Sequence, residues 1–261
     1  MRRGAPDGAG VSVHALTVRY GGLVALDDVG FTVAAGSICA LVGRNGAGKS
    51  TCLRVLAGLL PLTAGDVAVL GTDPFGESFP KRDIGFLLDD QALFAYLTAA
   101  ETLQLIASMY GLSATEREVR CADLLAFFDL DRNLNQLVDE YSTGMTRRLA
   151  LAAAFIHAPK LLILDEPFET LDPVVVNRLK TLLTAFARGG GTVLLSTHLI
   201  GVVEAICDHV VILERGRVVL SGTIGEVVAT VGRSDGATLE SAYVAAINAD
   251  EGPALQWMYV C

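Results

Sequence analysis

The chain has 261 residues, 52% of them hydrophobic, with a formal net charge of -9. That size and apolar content suit one α/β domain, with or without an inserted lobe, and the acidic balance excludes a broad basic surface for nucleic acid. The five cysteines (Cys39, Cys52, Cys121, Cys207 and Cys261) form no CxxC pair and are odd in number, so a metal site is unsupported and reduced, cytosolic thiols are expected.

In chain order, Met1-Arg2-Arg3-Gly4-Ala5-Pro6 has no apolar run behind it, so no secretory signal is read. Residues 1–10 are expected to be a disordered leader. Residues 11–42 alternate like strands, with turns at Gly21-Gly22 and Ala35-Gly36. Ile38 to Val42 reads as a buried strand. It runs into Gly43-Arg44-Asn45-Gly46-Ala47-Gly48-Lys49-Ser50-Thr51 and a helix ending near Gly58. Val67 to Leu70 is a further strand. Thr98-Ala99-Ala100-Glu101 and Ser113-Ala114-Thr115-Glu116 are capping boxes that open helices, and a third helix begins after Ser142. Leu161 to Leu164 returns to a central strand. Asp172-Pro173 opens a helix, with Asp172 as cap. Strands follow at Val193 to Leu195, Val210 to Leu213 and Val218 to Leu220, with closing helices from Ile224 and Leu239. Alternating strands and helices imply a parallel sheet wrapped by helices. No stretch reaches the roughly 18 unbroken apolar residues of a membrane span; the longest oily region, Thr192 to Cys207, is broken by His198 and Glu204.

Gly43 to Ser50 has the pattern G-x-x-x-x-G-K-[ST] between a strand and a helix. Glycines let the backbone curl until successive N–H groups point at phosphate oxygens, and the helix start adds a positive dipole end. Lys49 supplies a point charge for the β- and γ-phosphates, and the Ser50 hydroxyl can ligate Mg²⁺. Gly43, Asn45, Gly46, Gly48, Lys49, Ser50 and Thr51 are therefore candidate nucleotide-binding residues. Leu161-Leu162-Ile163-Leu164-Asp165-Glu166-Pro167 is an apolar strand ending in two acids. Asp165 is placed to hold Mg²⁺ or its water, and Glu166 to accept a proton from an attacking water.

From about Val11 to Asn248 the chain resembles the nucleotide-binding subunit of an ATP-binding cassette (ABC) transporter. The deciding feature is Tyr141-Ser142-Thr143-Gly144-Met145, followed by Arg147-Arg148-Leu149, which is similar to the family signature Leu-Ser-Gly-Gly-Gln with Thr143 in place of the first glycine. Ser142 is a natural helix cap, and a helix start with a hydroxyl is an anion receptor. The resemblance implies a P-loop NTPase core (RecA-like) spanning 11–250, an N-terminal antiparallel β part, an α-helical insert at about 90–157 and a short tail at 251–261. It implies that Ser142 and Gly144 meet the γ-phosphate of ATP held by a partner subunit, with Asp172 facing that partner. Tyr20 takes the place of an aromatic that stacks on adenine, and His198 that of a switch histidine at the γ-phosphate. Aligning Ile84 to Leu87 puts Asp89 where the family has a glutamine, with Gln91 two residues later. A carboxylate at Asp89 can ligate Mg²⁺ but donates no hydrogen bond while ionised, and either residue remains open for the role.

The implied activity is ATP hydrolysis with Mg²⁺ in a pair of such subunits, expected to be a homodimer, which powers a separate integral membrane permease from the cytoplasmic face of the membrane. The apolar stretch Ala92 to Leu97 is a candidate docking surface for that permease. Met145 in the signature and a short closing helix at Leu239 to Tyr243 resemble export-type subunits. A non-transport cassette ATPase of translation or DNA maintenance is the alternative; a P-loop kinase would leave Tyr141 to Met145 and His198 unexplained.

Overall fold

The structure, a computed structural model, describes residues 8–88, 93–230 and 237–247. Two long strands, β1 (Ala9–Tyr20) and β2 (Leu23–Ala34), form a hairpin closed at Gly21-Gly22. β1 begins inside the stretch expected to be a leader. The carbonyl of Gly8 accepts the Ala35 N–H at 2.9 Å and that of Gly10 accepts the Leu70 N–H at 2.8 Å, so these residues are tied into the sheet. After β3 (Ile38–Val42) and helix α1 (Lys49–Leu56), β4 (Ala64–Val69) returns to pair with β1, which gives a small antiparallel sheet in the order β2-β1-β4.

The main sheet adds β5 (Ile84–Leu87), β6 (Leu161–Leu164), β7 (Thr192–Thr197), β8 (His209–Glu214) and β9 (Arg217–Thr223), in the order β5-β6-β7-β3-β8-β9. The first five run parallel, while β9 folds back antiparallel on β8. Strands β3, β6 and β7 are buried along their whole length, as unbroken apolar runs must be when both faces are covered. Side chains alternate between the two faces. Ile38, Ala40, Leu162, Leu164 and Leu195 pack with helices on one side, whereas Cys39, Leu41, Leu161, Ile163 and Leu194 pack with α1 and the small sheet on the other.

Helices α2 (Ala99–Met109), α3 (Ala114–Phe127) and α4 (Thr143–Phe155) come between β5 and β6. Then α5 (Pro173–Arg188), α6 (Ile200–Ile206), α7 (Ile224–Ala229) and α8 (Leu239–Ile247) complete the chain. Both expected capping boxes are present, at Thr98/Glu101 and Ser113/Glu116, and a third stands at Thr223/Glu226. Burial pushes the thiols of Cys39 and Cys52 up to about 12 and that of Cys207 up as well, so they stay protonated at neutral pH and act as small apolar groups.

The hydrogen bonds from Ser113 hold the exposed carboxyl of Glu116 below its ordinary value of 4.5, and those from Thr98 do the same for Glu101. A lowered folded value stabilises the helix start above the ordinary pKa, and that contribution is lost as the pH falls through the lower value. Ser113→Ala is therefore expected to lower the melting temperature at neutral pH, measured by circular dichroism. The gap from wild type should narrow as the pH drops below the ordinary carboxylate range.

Candidate nucleotide site

Strand register brings the candidate residues together. Leu164 of β6 pairs with Leu195 of β7, and Val42 of β3 pairs with Thr197 of β7, so the three strands end almost level. Asp165 and Glu166 follow β6, His198 follows β7 and the phosphate loop follows β3. The site thus lies at the carboxyl edge of the sheet, where open α/β sheets bind ligands. A cleft of about 670 Å³ opens there, with Tyr20, Lys49, Ser50, Asp165, Glu166 and His198 among its lining residues. Asn45, Gly46, Gly48 and Thr51 line it as well.

The loop has its conformation for steric reasons. Gly48 has φ of 108°, and a Cβ there would stand 2.6 Å from the Leu26 side chain and 2.9 Å from the Ala25 carbonyl. Only glycine meets both demands. Gly43 does not line the cleft, but its carbonyl accepts the Lys49 ammonium at 2.8 Å. Lys49 also lies 3.3 Å from Glu166 Oε1. The Glu166 Oε2 atom is 3.0 Å from His198 Nδ1, so one carboxylate lies between the lysine and the histidine.

The two acids are held differently. Asp165 is 2% exposed and accepts a hydrogen bond from the Ser196 hydroxyl. The same Ser196 oxygen accepts the Glu166 N–H at 2.8 Å. Glu166 has φ of 44°, a left-handed backbone that a residue with a side chain adopts only where its neighbours enforce it. Arg147 Nη2 donates to the carbonyls of both Asp165 and Glu166. The sequence shows Arg147 only as a flank of the signature and does not single out Ser196, because nothing local marks a side chain as the support of a distant turn.

Tyr20, at the end of β1, is 45% exposed on the cleft wall beside Leu23, Val24 and Ala25. The β8–β9 turn, Arg215-Gly216, also lines the cleft and was missed. Its φ values of 47° and 78° fit a two-residue hairpin turn. The Gly216 carbonyl accepts the Asp27 N–H at 2.8 Å and its N–H donates to the Ala47 carbonyl at 3.0 Å, which pins the phosphate loop to β2.

Ser142, Gly144 and Asp172 are not among the cleft residues. Ser142 caps α4 by accepting the Met145 N–H at 3.3 Å, and Asp172 caps α5 by accepting from Val174 and Val175. Asp89 and Gln91 lie outside the described residues, as does the tail at 251–261.

Residues 26–169 match the family model described as ABC transporter. An ABC-type transporter ATP-binding protein, EcsA of Bacillus subtilis, is 35% identical over 246 residues, covering 93% of this chain and 98% of that protein. An Fe(3+) ions import ATP-binding protein, FbpC of Streptomyces coelicolor, is 40% identical over 83% of this chain, which spans 63% of that relative's length. The solved structure of an ATP-binding subunit of an ABC transporter superposes with a TM-score of 0.83 at 35% identity, covering 90% of this chain and 98% of that one. Together with the cleft, these matches show that the chain belongs to the ABC transporter family, as one of its ATP-binding, ATP-hydrolysing cassettes.

Proposed function

We propose that two copies of this chain sandwich two ATP molecules and drive a separate membrane permease. The observation that carries the reading is the convergence of Lys49, Asp165, Glu166 and His198 on one cleft while Ser142 and Gly144 lie off it. A chain with its phosphate loop on one surface and a capped helix start on another has two halves of a phosphate site that fit a second copy better than themselves. The γ-phosphate then belongs to the dimer interface, so ATP closes the pair and hydrolysis releases it.

In this reading Tyr20 stacks on the adenine, and the loop from Gly43 to Thr51 holds the phosphates. A water attacks the γ-phosphorus as the bond to the β-phosphate oxygen breaks, giving ADP and inorganic phosphate. Glu166 takes the proton from that water, while Lys49 and His198 offset charge on the transferring group. The site's oxygens suit Mg²⁺, a hard cation held by one or two carboxylates with phosphate and water completing its shell. Ser50 and Asp165 would hold it, with either Asp89 or Gln91 as the further ligand, and it would supply charge neutralisation when bound. Asp172 faces the partner copy.

Among the described residues no helix is long and apolar enough to cross a membrane. We infer that a permease subunit provides the span, with the chain peripheral at its cytoplasmic face. Phe94, 45% exposed, and Tyr96, 85% exposed, support a contact surface for it at the start of the helical insert. Export is the favoured direction, supported by Met145 in the signature and by the short closing helix α8. The resemblance to a protein named for Fe(3+) import keeps import as the second reading.

Glu166→Gln is expected to give an ATP-dependent dimer on size exclusion with turnover reduced at least about a hundredfold; normal turnover in this variant would remove Glu166 as the base. Lys49→Ala is expected to weaken ATP binding in a fluorescent-nucleotide titration, and unchanged affinity would count against the loop reading. Ser196→Ala leaves the Glu166 N–H and Asp165 short of a partner and is expected to cost about 1–3 kcal/mol of stability in urea titration, together with a fall in kcat.

A further inference from the structure

Arg147 lies in the second turn of α4, the helix that Ser142 caps. Its Nη2 donates to two main-chain carbonyls at once, that of Asp165 and, at 2.6 Å, that of Glu166. Both carbonyls lie just past the end of β6, where the parallel ladder stops. A guanidinium giving charge-assisted hydrogen bonds to adjacent carbonyls is a firm hold on a turn. The turn needs one, since Glu166 has its backbone in the left-handed region. Ser196 holds the same residue from its N–H side.

A second contact joins the same two segments. Gly144, three residues before Arg147, packs so closely that a Cβ there would stand 2.9 Å from the Thr170 carbonyl. Thr170 is also left-handed, with φ of 62°. Residues three apart on a helix share a face, so one face of α4 meets the acidic loop at both its beginning and its end.

We propose that Arg147 is a positioning residue for hydrolysis, fixing the turn that aims Glu166 and coupling that carboxylate through α4 to Ser142 at the start of the same helix. The coupling rests on the reading that Ser142 meets the partner's ATP. Under it, each chain senses the nucleotide held by its partner at Ser142 and transmits that contact to its own Glu166. The two sites of the dimer are then linked by about one and a half turns of one helix.

The test uses the full chain and four variants: Arg147→Met, Arg147→Lys, Ser142→Ala and the double Ser142→Ala/Arg147→Met. Steady-state kcat and KM are measured with ATP and magnesium, and ATP affinity separately with a fluorescent nucleotide. Arg147→Met is expected to lower kcat at least about tenfold while KM and affinity stay within about twofold, and Arg147→Lys to recover part of the loss. The double variant is expected to turn over no more than about twofold slower than the slower single variant, because both changes cut one connection. An unchanged kcat in Arg147→Met overturns the positioning role. Losses that multiply in the double variant overturn the coupling. If Arg147→Met fails to fold, Arg147→Lys decides: normal kcat in a folded Lys form assigns Arg147 to folding alone, and lowered kcat at unchanged KM supports the proposal. The Glu166→Gln dimer assay runs beside these. If that variant does not dimerise with ATP, the sandwich reading fails and the coupling to Ser142 with it, while the kcat of Arg147→Met still judges the positioning role.

Discussion

The site depends on the register of three parallel strands. Because β6, β7 and β3 are neighbours paired nearly end to end, the residues after each strand arrive at one edge together. A one-residue slip of β6 against β7 would send alternate side chains to the opposite face and carry Asp165 away from Ser196. Register is fixed by burial on both sides, where the odd and even positions of each strand are packed into two different cores. The hydrophobic effect thus sets the position of charged groups that contribute little to the core themselves.

Those groups are costly to bury, and each is compensated. Lys49 and Asp165 are among the few buried polar residues of the described chain. Lys49 is satisfied by carbonyls of its own loop and by Glu166. Asp165 is satisfied by Ser196 and continues the sheet ladder through its N–H to the Leu87 carbonyl at 2.7 Å. Buried charges with such partners are tolerated, whereas unpaired ones are not. The network is also rigid. Glu166 contacts Lys49 and His198 through its side chain and Ser196 and Arg147 through its backbone, so the residue is held by four side chains from three parts of the fold: α1, α4, and β7 with the turn after it.

Much of this was legible in the sequence because it is written locally. A glycine-rich loop between a strand and a helix, an apolar run ending in two acids, and capping boxes three residues apart each specify structure within a few positions. What remained hidden depends on strand order. The strands on either side of Arg215-Gly216 are visible in the sequence, yet only the placement of β8 beside β3 brings the turn between them to the cleft. Arg147 reads as one of two arginines after the signature, and only the packing of α4 on the end of β6 gives it two carbonyls to hold. The boundary of the first strand was set too late for a similar reason. Gly8 and Gly10 look like linker, and their order comes from the amides of Ala35 and Leu70, which are far along the chain.

The reversed final strand has a consequence for how this protein avoids sticking to itself. A sheet rim offers unpaired amides to any passing strand. In the main sheet one rim is β5, only four residues long, and the other is β9, which opens with Arg217 in an ion pair to Asp27 and alternates exposed with half-covered positions. A rim of four residues, and a rim whose pairing is irregular beside Ile212 and Leu213 and whose first residue is a paired arginine, are poor templates for cross-β growth. At the main sheet, self-association is thus steered away from the two rims and left to the loops and helix beginnings along its carboxyl edge, where it can be made conditional on a ligand.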